Sequence, residues 1–213
     1  MGAALIPVLI VLLVIHRLMP KPRQPYYRLG QAFAAGVFAI APALVISLLV
    51  GPARVGGGGI ATYARQFVLT GLVEETSKFT GLVLLAWPPA YTGRPSAAAL
   101  LGAFAGIGFA AAETVLIADS GGLLRGITAV PFHVLATSTL IAFFSSHRNS
   151  PWKTLASVVV VAFAHTLYNH AAVEWQSLLG IIPAWLIVWA LTLVLVLHRL
   201  DAGYTGRIRR QPD

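Results

Sequence analysis

Residues 70–78 read TGLVEETSK, and this stretch decides how the rest of the chain must fold. It lies within an apolar run, residues 67–87, that is long enough to cross a bilayer. A charge at the bilayer centre costs at least about 2.5–3.5 kcal/mol, so the adjacent carboxylates of Glu74 and Glu75 are rarely accidental there. We therefore expect them to face a helix bundle or a wet cavity rather than lipid.

Lys78 lies one helical turn after the two carboxylates. Because each helical residue advances about 100°, Glu74 and Lys78 are about 40° apart and can form an i,i+4 ion pair. Small or polar residues share the Glu74 side, namely Thr70, Gly71, Ser77 and Gly81, whereas the other side carries Leu72, Phe79 and Leu82. A neutralised packing patch is the simpler interpretation, but one lysine leaves a second carboxylate over. We therefore interpret the stretch as part of a functional site.

The composition predicts a membrane protein with an all-α fold. Hydrophobic residues make up 57% of the 213 residues and charged residues only 10%, whereas soluble domains carry about 25% charged residues. The chain has no cysteine, which excludes disulfides and thiolate catalysis. Cytoplasmic loops explain the net charge of +8 better than nucleic acid does, so we expect no nucleic-acid partner. We predict one transmembrane helix bundle over residues 1–213.

Seven apolar runs of about 20 residues are long enough to span the bilayer. They cover residues 3–18, 31–50, 67–87, 96–118, 126–146, 152–173 and 177–197. No small-residue cleavage site follows the first run, so we expect a retained span rather than a signal peptide. Of the 15 lysines and arginines, 11 lie on the side of the C-terminal tail, three lie on the other side and Lys78 lies within the membrane. The positive-inside rule therefore predicts an outer N-terminus and a cytoplasmic C-terminus.

Four further side chains within the predicted spans are candidates for a buried polar site: Glu113, His133, His165 and Asn169. His165 and Asn169 are four residues apart, so their side chains face the same way. Gly102 and Gly106 lie nearly on the side of Glu113, which allows close approach to another helix. At 1.5 Å per residue, these polar groups and the Glu-Glu pair all lie about 8–13 Å below the outer surface. We therefore expect four helices to bring them to one site.

This set of side chains suits hydrolysis. It offers a base for water, an acid for the leaving group and hydrogen-bond donors for an oxyanion. It is also close to a catalytic zinc site of two histidines and a carboxylate, for which the ligands would be His133, His165 and Glu113. Intramembrane Glu, Lys and His mark ion paths as well, so a proton-coupled transporter is a third possibility. A transporter should show internal repeats, and the two halves show no convincing one.

The motifs, taken in order, resemble the PrsW family of bacterial intramembrane proteases, which are relatives of the CAAX prenyl endopeptidases. They are Glu74-Glu75-x-x-Lys78, Phe109-x-x-x-Glu113, His133 and His165-x-x-x-Asn169, and they fall within residues 67–172. The CAAX enzymes typically have Glu-Glu-x-x-x-Arg and Phe-x-x-x-His. Lys78 and Glu113 depart from that pattern and favour the PrsW branch.

The resemblance implies an intramembrane endopeptidase of the bacterial inner membrane, with a catalytic core at about residues 61–173. Its substrate would be a membrane protein, such as an anti-sigma factor, cut on the extracytoplasmic side. The family was first described as metallopeptidases, and its relatives are now considered glutamic proteases. We predict a metal-free site without a cofactor, because there is no His-Glu-x-x-His pair and the histidines come from separate spans. Zinc is the alternative cofactor.

The predicted roles fall into two groups. One group activates water, and the other protonates the leaving amine and stabilises the oxyanion. We assign Glu74 as the base, Glu75 as the partner that orients water or shares its proton, and Lys78 as a supporting cation. The remaining assignments are His133 as the acid for the leaving amine, His165 and Asn169 as oxyanion donors, and Glu113 as the acceptor that orients an imidazole.

Overall fold

The computed structural model describes residues 25–51, 59–86, 94–116, 122–147, 149–174 and 181–208. All the regular structure in these ranges is helical. The α-helices are α1 (Tyr26–Phe38), α2 (Ile40–Val50), α3 (Ile60–Gln66), α4 (Val73–Ala86), α5 (Pro95–Leu116), α6 (Gly122–His147), α7 (Pro151–Glu174) and α8 (Ile181–Ile208). The predicted span at residues 3–18 lies outside the described residues.

Five helical stretches within the described ranges are long and apolar enough to cross a membrane. They are Tyr26–Val50, Pro95–Leu116, Ile127–His147, Pro151–Ala172 and Ile181–Ala202. They correspond to the second and the fourth to seventh predicted spans. The third predicted span is helical but carries three ionisable residues and is not one of the five. The all-helical membrane fold is therefore confirmed, while the count of seven and the orientation stay predictions.

The second predicted span is broken rather than continuous. Its α1 part begins at Tyr26, ahead of the predicted start at residue 31, and ends at Phe38. Ala39 forms a turn before α2. Pro42 has no N–H to donate to the Phe38 carbonyl four residues earlier, and its ring crowds that carbonyl. The proline therefore explains why the helix is interrupted at this point.

A π-helical segment, Phe67–Leu72, leads directly into α4. Such segments are rare and are frequent at functional sites. A Cβ added at Gly71 would meet the carbonyl oxygen of Ala162 and the hydroxyl of Thr166, both in α7. The glycine therefore allows the end of the π-helical segment to lie directly on α7, and this contact brings the Glu-Glu pair, which follows it, towards the α7 side chains.

Helix α5 packs against α1 and α6 through small residues. A Cβ at Gly102 would meet the backbone of α6 at Thr137, and one at Gly106 would meet it at His133. The close approach predicted from these two glycines is confirmed, as expected for small residues between membrane helices. This contact sets the distance between the helices that carry Glu113 and His133.

Gly106→Ala should therefore lower the thermal stability of the purified protein. The added methyl group would meet the His133 carbonyl and the Cα of Val134, and such overpacking typically costs about 1–3 kcal/mol. Thermal unfolding in detergent, followed by circular dichroism, measures the effect. Gly30→Ala is the matched control, because nothing lies within 4 Å of its added Cβ. An unchanged midpoint for Gly106→Ala would contradict the tight contact.

Candidate active site

The buried side of α4 is formed by Glu75, Lys78 and Leu82, all of which are 0% exposed. Glu74 lies at the edge of this side, with its side chain 13% exposed. The sequence-based view was wrong here, because it centred the site-facing side on Glu74 and turned Leu82 away. The π-helical segment and the contact of Gly71 with α7 set how α4 is rotated, and helical spacing alone does not contain that information.

The ammonium of Lys78 links α4 to α6. Its Nζ donates to Glu75 Oε1 at 2.5 Å, lies 3.1 Å from His133 Nδ1 and lies 4.5 Å from the ring centroid of Phe109. The expected i,i+4 pair with Glu74 is therefore replaced by an i,i+3 pair with Glu75. Both spacings are within reach on a helix, and the contact with His133 favours the Glu75 side.

Both ring nitrogens of His133 are engaged. A lysine ammonium has only donors, so Nδ1 accepts from Lys78. The other nitrogen, Nε2, then carries the hydrogen and donates to Glu113 Oε2 at 2.8 Å. Glu113 thus makes the contact that its predicted orienting role requires, although the role itself stays a prediction. The two partners hold the imidazole of His133 in one tautomer.

His165 faces both carboxylates of the Glu-Glu pair. Its Nδ1 lies 2.7 Å from Glu75 Oε1 and donates to it, while Nε2 lies 3.6 Å from Glu74 Oε2. The longer distance is beyond hydrogen-bonding range. Glu74 Oε2 is buried and has no hydrogen-bond partner in the described part of the chain. A carboxylate oxygen and an imidazole nitrogen therefore face each other across a gap that a water molecule can bridge.

Six of the seven predicted site residues meet at this cluster, which α4, α5, α6 and α7 form together. They are Glu74, Glu75, Lys78, Glu113, His133 and His165. Asn169 is the exception. It is half-buried one turn beyond His165 and makes no hydrogen bond within the described ranges. Its role as an oxyanion donor stays a prediction.

Aromatic residues that support the histidines were missed by the sequence reasoning. Phe132 is fully buried, stacks on Tyr168 with ring centroids 4.5 Å apart and lies 5.0 Å from the His165 ring. Trp185 and Trp189 of α8 pack on the ring of Phe132. The last helix therefore packs against the ring that contacts His165. The only signal in the sequence is the position of Phe132 directly before a predicted site histidine.

His170 is a second residue that the sequence reasoning omitted. Helical geometry turns it about 100° away from Asn169, so the spacing does not place the two side chains together. It is fully buried, and its ring stacks on Tyr63 of α3 with centroids 3.8 Å apart. This contact ties α7 to the short helix that precedes the π-helical segment.

One group of three side chains in the described residues could hold a metal ion. Glu74, His133 and His165 each offer a ligand atom, and these atoms lie within 4.8 Å of one another. The predicted zinc alternative named Glu113 in place of Glu74. In the group that the structure brings together, Glu74 stands in that place, and Glu113 bonds to Nε2 of His133.

The residue types of this group fit a zinc site, but the hydrogen bonds that His133 already makes do not leave it a free ligand nitrogen. Two histidines and a carboxylate are a catalytic zinc donor set, and Glu75 on His165 is the outer carboxylate that such ligands usually have. However, an ion on His133 would have to displace Lys78 from Nδ1 or Glu113 from Nε2. The ammonium of Lys78 already places a positive charge next to His133, where the zinc ion would have to bind.

Comparison with known proteins identifies the family. A family model described as "PrsW family intramembrane metalloprotease" matches residues 24–197. The protein "Protease PrsW" of Bacillus subtilis (strain 168) is 26% identical over 156 residues, which cover 68% of this chain and 70% of that protein. No solved structure matches the chain. The match to the family model includes every residue of the Glu74 cluster, and the chain therefore belongs to the PrsW family of multi-pass intramembrane proteases.

Proposed function

We propose that this protease hydrolyses a peptide bond of a membrane protein and that Glu74 is the base that activates water. The observation that carries the proposal is Glu74 Oε2, which is buried, lacks a hydrogen-bond partner among the described residues and lies 3.6 Å from His165 Nε2. A water molecule between these atoms would have an acceptor for its proton and a second group to orient it.

Glu75 is less suited to activate water. Its Oε2 also lacks a partner in the described ranges, but the whole side chain is enclosed, whereas Glu74 is 13% exposed. Its Oε1 accepts from both Lys78 and His165. We therefore assign Glu75 as a positioning residue that orients the imidazole of His165 and neutralises the buried ammonium.

The reaction moves one proton from water to the leaving amine. Glu74 takes this proton as the water oxygen attacks the carbonyl carbon, and passes it to His165 Nε2, which lies 3.6 Å from Glu74 Oε2. His165 then gives the proton to the nitrogen as the C–N bond breaks, and the water oxygen stays on the new carboxyl group. His165 presents Nε2 to the same space as Glu74, while both nitrogens of His133 are engaged. We therefore transfer the acid role, expected from sequence for His133, to His165. Each such proton transfer typically contributes about 10²–10⁴-fold to the rate.

A zinc-dependent reaction is the second candidate. It is favoured by the proximity of the ligand atoms of Glu74, His133 and His165 and by the family's description as metalloproteases. These three residues would hold the ion, which would polarise the carbonyl group and make a bound water easier to deprotonate. We favour the metal-free reaction because Lys78 already occupies Nδ1 of His133.

Peptide hydrolysis is tested with purified protein and a membrane-spanning reporter peptide in ¹⁸O-labelled water. We expect two fragments, with one ¹⁸O atom in the new carboxyl terminus detected by mass spectrometry. A preparation of the Glu74→Gln variant controls for contaminating proteases. Absence of fragments, or the same fragments from the variant, would overturn the assignment.

We infer that the substrate is a membrane protein, such as an anti-sigma factor, that is cut near the extracytoplasmic side.

We also infer seven spans in a bacterial inner membrane, with the N-terminus outside. The bias of lysine and arginine supports this orientation. The chain has no cysteine, so a single introduced cysteine reports on one position. Gln176→Cys should react with an impermeant maleimide on intact cells, and Ser150→Cys only after permeabilisation. The opposite labelling would overturn the orientation.

A further inference from the structure

A groove of about 500 Å³ lies between α6 and α7, towards the connection that joins them. The lining residue of α6 that is nearest to His133 in sequence is Thr139, six residues beyond it, which is about 9 Å along the helix. The groove is therefore separate from the Glu74 cluster, and nothing in the proposed reaction uses it.

The walls of the groove are apolar. They are formed mainly by Phe143, Val160 and Val161, and Val160 is 66% exposed to the surroundings. The two hydroxyl groups in the lining already have partners: Thr139 accepts from the indole N–H of Trp189, and Ser157 donates to a backbone carbonyl. The interior thus offers few free polar groups and suits a hydrocarbon chain.

The mouth of the groove is cationic. Lys153 is exposed there, His147 also lines the groove, and none of the described residues that line it is acidic. The neighbouring Trp152 is 77% exposed, as is typical of aromatic residues at the level of lipid headgroups. In the predicted topology, this end of the bundle also belongs to the membrane face that carries 11 of the 15 lysines and arginines. A cation above an apolar groove is complementary to an anionic phospholipid.

We propose that this groove binds one anionic glycerophospholipid, with its phosphate at Lys153 and an acyl chain along Phe143 and Val160. Basic pockets between membrane helices on the cytoplasmic side are known to hold such headgroups. The distance from Lys153 to Val161 is about 12 Å along α7, so a chain in the groove would extend well into the hydrocarbon region. The site does not depend on the proposed catalytic reaction.

Native mass spectrometry of the full-length protein tests the site, with phosphatidylglycerol and phosphatidylcholine as competing probes. We expect preferential retention of phosphatidylglycerol. Lys153→Gln should weaken that retention about fivefold, since one basic residue near an anionic surface contributes a factor of this size. Val160→Trp should fill the groove and remove the retained lipid while leaving Lys153 in place.

Two control variants separate the site from general effects. Arg199→Gln removes an exposed charge on the same predicted membrane face but outside the groove, and Val159→Trp adds the same ring at a residue that does not line it. Both should retain phosphatidylglycerol as the wild type does. Equal retention of the two lipids, equal losses in the controls, or equal binding of glycerophosphoglycerol without acyl chains would overturn the proposal.

Discussion

Glu74→Gln should abolish peptide cleavage while leaving the protein folded. The substitution keeps the size of the side chain and removes the carboxylate that would accept the proton from water. Loss of general-base catalysis typically lowers the rate about 10²–10⁴-fold. Stability should change little, because Glu74 Oε2 forms no hydrogen bond in the described part of the chain. Initial rates with the reporter peptide and thermal unfolding midpoints measure both effects.

The matched control for this variant is Thr76→Val, two residues along the same helix. Thr76 is exposed on the other side of α4, so its substitution should leave the rate unchanged. If Glu74→Gln kept wild-type turnover while Glu75→Gln lost it, the roles of the two carboxylates would have to be exchanged.

Glu75→Gln should nearly abolish cleavage and should also destabilise the protein. The variant leaves the fully buried ammonium of Lys78 without its carboxylate, and the Nδ1–H of His165 can then donate only to a neutral amide oxygen. Removing one partner of a buried ion pair typically costs about 3–5 kcal/mol. The expected signature is therefore a large drop in the unfolding midpoint together with the loss of activity, which distinguishes Glu75 from Glu74.

The double variant Glu75→Gln/Lys78→Met separates the two effects of Glu75. Replacing both members of a buried ion pair is often close to neutral, so the double variant should recover much of the midpoint but not the activity. Lys78→Met alone should reduce activity less than either glutamate variant, because Glu75 would still hold His165. A Glu75→Gln protein as stable as the wild type would contradict the buried pair.

Hydropathy was sufficient to predict the all-helical membrane fold, because lipid requires every backbone polar group to bond within a helix. The small residues Gly102 and Gly106 likewise predicted a close helix contact, which the structure contains. The interruption at Ala39 was not predicted, although Pro42 could have indicated it. The π-helical segment Phe67–Leu72 has no comparable signal in the sequence, and it changes the rotation of everything that follows in α4.

This rotation explains where the prediction of the site failed. Ionisable residues inside apolar runs are costly, so the cluster members were easy to identify from sequence. Their pairing was not, since i,i+3 and i,i+4 partners are both within reach of Lys78 and the choice depends on His133 from another helix. The group that could hold a metal ion contains Glu74, whereas the sequence predicted Glu113 in its place. This difference also depends on which helices face each other.

Metal content, measured on active purified protein, separates the two candidate reactions most directly. The protein is stripped with a chelator, its zinc is determined by elemental analysis, and cleavage of the reporter peptide is followed on the same sample. If Glu74 activates water without a metal ion, the stripped protein retains its turnover with far less than one zinc per chain. Turnover that disappears with the removal of about one zinc per chain, and returns when zinc is added, would contradict this mechanism.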